Sequence, residues 1–374
     1  MSMPGTVANQ RTTVAPPLLL LLIPLVVVMV TVTVATPAGP EQRGDPHLQP
    51  HWEAWKSRYG KAYDEAEEGQ RRLVWEHNLK MIDRHNLEEA LGKHSYTLAM
   101  NQYGDMSEEE FQLQMAAMEP LADDDDDASE EDNEVKKWTE SFINAPLDVS
   151  LPNEIDWRNR DVVTPVKNQK KPRNCWASWA FSATGAMESH WKIKRSGELL
   201  ELSEQQLIDC SRPYGARGCR KGSASMGFVA VQQMQGINTE ESYPYEGRDN
   251  IACRFNISQR SPVRVSGYKR IPSGSEAHLQ AALATEGPVA VAIDARHIKI
   301  FYSSGIYYSR FCRKKANRLH HSMLAVGYGT EDGKDFWLLK NSWGAGWGEQ
   351  GYMRLARNRN NNCGVASDAT YPIV

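Results

Sequence analysis

The chain has 374 residues, enough for more than one folded unit and a large buried core. With 41% hydrophobic and 24% charged residues it has the composition of an ordinary globular protein, which sets aside fibrous and wholly disordered classes. Charge is divided sharply: residues 1 to 150 carry 12 Lys+Arg and 27 Asp+Glu, a net of -15, while residues 151 to 374 carry 31 and 20, a net of +11. Opposite charge on two parts of one chain favours their association. The basic residues are scattered and no recognition motif accompanies them, which argues against a nucleic acid partner.

In chain order, the first feature is the apolar run from Leu18 to Val30, broken by Pro24 and followed by small residues at Thr33, Ala35 and Ala38. It reads as a secretory signal peptide over residues 1 to 35 with a long leading region. An uncleaved signal anchor is the alternative. Against it, the run is shorter than the ~20 residues of a comfortable span and contains a proline.

A helix is expected next. Glu67, Arg71, Trp75, Asn78, Ile82 and Asn86 are spaced by four, four, three, four and four residues, which places them on one helical face. The stripe mixes charged and amide groups with Trp and Ile, so it predicts a fixed polar network rather than a plain amphipathic face. Ala99-Met100-Asn101-Gln102-Tyr103-Gly104-Asp105 follows. Beyond it, Asp123 to Asp127 is an unbroken acidic run, continued by Glu130, Glu131, Asp132 and Glu134, and reads as a solvated linker over residues 122 to 150.

All six cysteines lie beyond residue 170: Cys175, Cys210, Cys219, Cys253, Cys312 and Cys363. An even number in one region suggests three disulfides and an oxidising compartment, extracellular or lysosomal. A zinc site is the rival, but the chain has no CxxC pair; no metal or cofactor is expected. Asn256-Ile257-Ser258 is an acceptor triplet for N-glycosylation.

The helical stripe resembles the E-x3-R-x3-F/W-x2-N-x3-I-x3-N signature of the inhibitory propeptide of papain-like peptidases. Asn101 and Asp105 fall where its G-x-N-x-F-x-D motif has Asn and Asp, with Ala99 for Gly and Tyr103 for Phe. From Pro152-Asn153-Glu154-Ile155-Asp156-Trp157 to Tyr371-Pro372 the landmarks resemble the cathepsin L branch of that family. The resemblance implies an inhibitory propeptide over residues 50 to 121 and a peptidase domain over 151 to 374. The implied fold is α+β and two-lobed, with a helical lobe, an antiparallel barrel-like lobe and an active cleft between them. It also implies maturation by cleavage before Leu151.

By the same resemblance, His321 matches the catalytic histidine, and His320 beside it is expected to be an exposed neighbour. Asn341 matches the residue that orients the imidazole, shielded by Trp343, and Gln169 matches the oxyanion donor. The nucleophile admits two alignments. Cys175-Trp176-Ala177 lies six residues after Gln169, as the family's reactive cysteine does. Ser178-Trp179-Ala180-Phe181-Ser182 has the family's downstream sequence, with serine for cysteine. The family's three bridges would pair Cys175 with Cys219, Cys210 with Cys253 and Cys312 with Cys363, which consumes Cys175. Three extra residues placed inside the helix would rotate all that follows by ~300°, whereas a loop tolerates them. Both considerations favour Ser178 at the nucleophile position.

Other positions depart from the family. Lys170-Lys171-Pro172-Arg173-Asn174 replaces a Gly-rich approach, which lengthens the path from Gln169 to Ser178 and could displace an oxyanion donor. Trp176 stands where the family has glycine beside the S1 subsite. Lys221 adds a side chain next to Gly222, and Asp368 lies near the S2 pocket.

Three functions are consistent with this pattern. The first is a secreted, largely non-catalytic homologue similar to the testins, which also carry serine at the nucleophile. It would be a monomer whose partners are its own propeptide, peptide or protein ligands in the cleft, and related cathepsins. The second is an active endopeptidase using Cys175, His321 and Asn341. The third is a propeptide-based inhibitor of cathepsins.

Overall fold

The computed structural model describes residues 44–116, 140–142, 150–249, 252–298 and 300–374. The expected signal segment and the acidic run lie outside these residues. Among the described residues no helix is long and apolar enough to cross a membrane.

The N-terminal part is helical. Helix α1 (Gln49–Tyr59) ends at Gly60, whose φ of 63° is the left-handed cap that glycine adopts without strain. Helix α2 (Glu65–Ala90) starts at Asp64, whose carboxylate accepts the Glu67 N–H and leaves Glu65, Glu67 and Glu68 in the first turn, where the helix dipole favours them. Trp52, Trp55 and Trp75 pack together between the two helices; the Trp52 and Trp55 rings stack at 5.2 Å. A short strand β1 (Tyr96–Leu98) and helix α3 (Glu108–Ala116) follow.

The predicted stripe on α2 forms a polar network. Arg71 joins Glu67 at 2.9 Å, Glu110 at 2.8 Å and the Asp105 carbonyl at 3.0 Å. Asn78 donates to the carbonyls of Gly104 and Met106, and Asn86 exchanges hydrogen bonds with the backbone of Leu98. Trp75 and Ile82 are buried between these polar steps. Asp105 accepts from Lys61 and Tyr63, each at 2.7 Å.

The helical lobe of the second part holds α4 (Ser178–Arg195), α5 (Glu204–Cys210) and α6 (Ala224–Met234). Its core centres on Trp179, Ala183, Met187, Leu207 and Phe228. Helix α7 (Glu276–Thr285) packs on the sheet lobe.

The sheet lobe is built from β2 (Glu140–Phe142), β3 (Ile155–Asp156), β4 (Gly267–Arg270), β5 (Val289–Ile293), β6 (Tyr302–Tyr307), β7 (His321–Glu331), β8 (Lys334–Lys340), β9 (Tyr352–Ala356) and β10 (Ala369–Ile373). With β1 the strands run β1-β6-β9-β8-β7-β5-β10-β4-β2, and β3 pairs with β7. Most neighbours are antiparallel; β6–β9 and β2–β4 are parallel. Strand β2 falls within the segment expected to be a solvated linker, so part of that segment adds to the sheet instead.

Strands β5 and β7 are buried along most of their length, which explains their continuous apolar runs. Gly305 lets β1 approach β6: its φ is 89° and a Cβ there would meet the Ser95 carbonyl oxygen. The α+β, two-lobed, papain-like class expected from the sequence is the one observed.

Candidate active site

Helix α4 begins at Ser178, after a loop that leaves Gln169 and returns through Cys175. Lys171, Pro172, Arg173 and Asn174 are exposed, so the extra length bulges into solvent and α4 runs uninterrupted. Cys175 is fully buried and bonded to Cys219. Cys210–Cys253 and Cys312–Cys363 are the other two bridges, and no free cysteine remains. These are the pairings that the family resemblance implies.

Ser178 is 1% exposed, at the N-terminus of α4, where aligned backbone N–H groups favour negative charge. Strand β7 opens on His321, fully buried, in register with Ile293 of β5. Asn341 follows the end of β8. Its Oδ1 accepts from the Ser342 N–H at 2.8 Å and lies 2.8 Å from His321 Nε2. An oxygen in that position fixes the tautomer: Nε2 carries the proton and Nδ1 keeps its lone pair. That lone pair has no hydrogen-bond partner among the described residues. Ser178 Oγ instead accepts from the Ser322 N–H at 3.0 Å.

Burial holds the His321 imidazole down at about 4; the Asn341 bond opposes this and the Lys170 ammonium adds to it. His321 is therefore neutral across the neutral and mildly acidic range. Trp343 lies against it, with ring centroids 4.8 Å apart, and is itself fully buried.

Gln169 is held on both sides. Its Oε1 accepts from the Ser342 hydroxyl at 2.6 Å, and its backbone carbonyl accepts from the Tyr245 hydroxyl at 2.7 Å. Its Nε2 is a buried donor with no hydrogen-bond partner among the described residues. Ser342 and Tyr245 thus hold Gln169 from loops other than the inserted one.

Lys170 turns inward. Its ammonium lies 3.9 Å from the Trp176 ring centroid, 4.3 Å from Tyr103 and 5.9 Å from Trp343. The sequence marked Lys170 as part of an insertion and Trp176 as a departure beside S1; nothing in it pointed to their contact.

His320 is not an exposed neighbour. It is 6% exposed, with its N–H on the Ile293 carbonyl. Alternation along a strand would put it opposite His321, but both faces of β7 are covered here, where His321 to Gly329 are all buried.

Of the residues expected around the substrate, Gly222 packs on Trp179, and a Cβ would run into that indole. Trp179 Nε1 donates to the Gly218 carbonyl at 3.1 Å, and the Lys221 carbonyl accepts from Arg217 N–H at 2.7 Å, so the 217–222 turn is tied to α4. The Asp368 carbonyl accepts from Ala292 N–H at 2.9 Å, one strand from Ser322. Asn256 is exposed, with its Oδ1 accepting from the Ser258 N–H.

Beneath the site, Lys167 pairs with Glu204 at 2.9 Å, Thr184 donates to Glu204 at 2.6 Å, and Lys340 donates to Thr164 at 3.0 Å. This buried network supports the floor of the cleft and was not legible in the sequence.

The N-terminal part closes the cleft. Asn101 Nδ2 donates to the Ile300 carbonyl, and Gln102 Nε2 donates to the Trp343 carbonyl at 3.0 Å. Tyr103 and Phe111 meet the Trp343 ring edge-on.

Ser178 at the head of a helix, the His321–Asn341 pair and the buried Gln169 amide, under a helical pro-segment, have the layout of a papain-type proenzyme. The chain belongs to the papain family of cysteine proteases: that family model matches residues 151–373, and the cathepsin propeptide inhibitor domain (I29) matches residues 52–111. It is 44% identical to digestive cysteine proteinase 2 of Homarus americanus, over 87% of this chain and 95% of that one. It is 42% identical to human cathepsin L2, over 88% and 94%. Digestive procathepsin L 3 of Tenebrio molitor superposes with a TM-score of 0.78 at 39% identity, covering 88% of this chain and all of that one. The protein is cathepsin L-like and carries its own propeptide domain.

Proposed function

We propose that this is a secretory, cathepsin L-like homologue with little or no proteolytic activity, acting as a binding or regulatory protein. The observation that carries the reading is that Ser178, at the head of α4 and read here as the nucleophile position, is bonded to the Ser322 N–H and not to His321.

In the proposed arrangement His321 is the base, Asn341 its orienter and Gln169 the oxyanion donor. A cysteine at the head of α4 would ionise readily: surroundings of this kind lower a thiol from ~8.5 to as little as ~3.5, or ~7 kcal/mol of thiolate stabilisation. A hydroxyl is far less acidic and stays protonated. Serine peptidases compensate with a buried Asp that stabilises the imidazolium. Asn341 is neutral, and Lys170 further disfavours a charged His321. Cys175 does not fill the role in this reading, since its thiol is tied to Cys219.

The proposed ligands are peptides or protein segments in the cleft, related cathepsins among them. Passage through the secretory pathway to the cell exterior or lysosome, with glycosylation at Asn256, belongs to the same proposal. The full chain, matured at pH 5 to 6, is tested against peptide substrates and an epoxysuccinyl thiol reagent. No turnover and no labelling are expected; covalent labelling at Cys175 defeats the reading.

The match of residues 52–111 to an inhibitor domain favours a second activity, inhibition of other cathepsins by the pro-segment. Residues 50 to 121 added to an active cathepsin L test it, and an unchanged rate removes it.

A further inference from the structure

We propose that Lys170 is a cationic peg that fastens the pro-segment to the cleft, gripped by Trp176 and Trp343 of the peptidase domain and by Tyr103 of the pro-segment. The inference rests on residues 52–111 acting as the pro-segment and is independent of whether Ser178 can attack.

Three observations carry it. The ammonium lies within 6 Å of three ring centroids, the range in which an aromatic face attracts a cation, and one of the three rings comes from the pro-segment. No carboxylate among the described residues pairs with Lys170; the charged and titratable groups around it are Lys61, His321 and Tyr103. Lys61 is already neutralised by Asp105. Burial, with Lys61 adding to it, pushes the Lys170 amine down to about 7, so at mildly acidic pH it is an ammonium whose available compensation is the rings.

Tyr103 is also well placed to transmit the grip. Its N–H donates to Asn101 Oδ1, and its carbonyl accepts the Met106 N–H. Its ring meets Trp343 edge-on at 6.4 Å. Holding the Tyr103 ring thus holds the turn that crosses the cleft. The peg depends on the inserted residues after Gln169: the loop bulges outward at Lys171 to Asn174 and leaves Lys170 directed inward.

The test is amide hydrogen exchange of the full-length chain, read by mass spectrometry over residues 99–106, at about pH 5.5 for all variants, below the value of about 7 to which Lys170 is lowered. Lys170→Gln removes the charge and keeps most of the stem, and exchange in that segment rises about tenfold. Lys170→Arg keeps the charge and changes exchange less than about threefold. Tyr103→Leu also raises it about tenfold, and the double variant goes no further than either single change, since both remove one contact. An unchanged Lys170→Gln rate, or effects that multiply in the double variant, overturn the proposal.

Residues 321–340 serve as the fold control. Should Lys170→Gln lose protection there too, Tyr103→Leu decides, since it leaves Lys170 in place: exchange over residues 99–106 rises about tenfold while residues 321–340 stay protected. An unchanged Tyr103→Leu rate over residues 99–106 overturns the proposal as well.

Discussion

The Ser178 hydroxyl accepts a hydrogen bond from the backbone N–H of Ser322, at 3.0 Å, while His321 Nδ1, one residue away in the chain, has no partner. Attack through Ser178 requires its proton to pass to that lone pair. The arrangement holds His321 against Asn341 and directs the Ser178 hydroxyl oxygen to the strand backbone.

Ser178→Cys is therefore the informative substitution. The thiol sits at the head of α4 beside His321, where a thiolate is favoured by several kcal/mol over one in water. We expect the matured variant to gain peptide hydrolysis and to be labelled by an epoxysuccinyl reagent, with the wild type inert to both. A silent variant that still folds would shift responsibility to Lys170 and Lys221.

The Cys175–Cys219 bridge is expected to be structural. It closes a separation of 44 residues and ties the loop before Ser178 to the turn before Gly222. Cys175→Ser together with Cys219→Ser should lower unfolding stability by about 2–5 kcal/mol, measured in urea, and leave reactivity toward the thiol reagent at its wild-type level. A stability change under about 0.5 kcal/mol would contradict this.

Acid should weaken the folded state through His321. An ordinary histidine titrates near ~6.5, whereas the buried His321 is held at about 4. The unfolded chain thus binds a proton below ~6.5 that the folded one refuses until about 4. The contribution is whole above pH ~6.5 and is lost as pH falls through the folded value, to a total of about 3 kcal/mol. NMR titration should find the imidazole neutral at pH 5.5; a midpoint above 6 would refute the assignment. Buried His190, held at about 4 by desolvation, acts in the same direction.

Asn78 should matter more to the pro-segment than its size suggests. It donates to two backbone carbonyls, Gly104 and Met106, on either side of Asp105. Asn78→Ala leaves both without that partner, at about 1–3 kcal/mol. Limited proteolysis at neutral pH should then cut between residues 99 and 116 faster than in the wild type, with the peptidase domain unaffected. Equal cutting rates would show that the turn is held by other contacts.

Much of the site is legible from sequence because its parts lie in short contiguous blocks. His321 opens a strand, Asn341 follows one, and Ser178 starts a helix, so each carries its own local context. The stripe from Glu67 to Asn86 was legible for the same reason: helical periodicity alone puts six residues on one face. What escaped depends on meetings between distant segments. Lys170 finds rings from residues 103, 176 and 343; the Tyr245 hydroxyl reaches the Gln169 carbonyl from 76 residues along the chain. His320 was misjudged because strand alternation assumes one wet face, and here both faces of β7 are covered.

The sheet has a further property. Its two outermost strands, β1 and β2, both precede Leu151. Cleavage near that residue would strip the sheet on both sides, leaving β6 and β4 as new rims with unsatisfied backbone donors and acceptors. The freshly matured form would then present two templates on which an extended segment of another chain could add a strand.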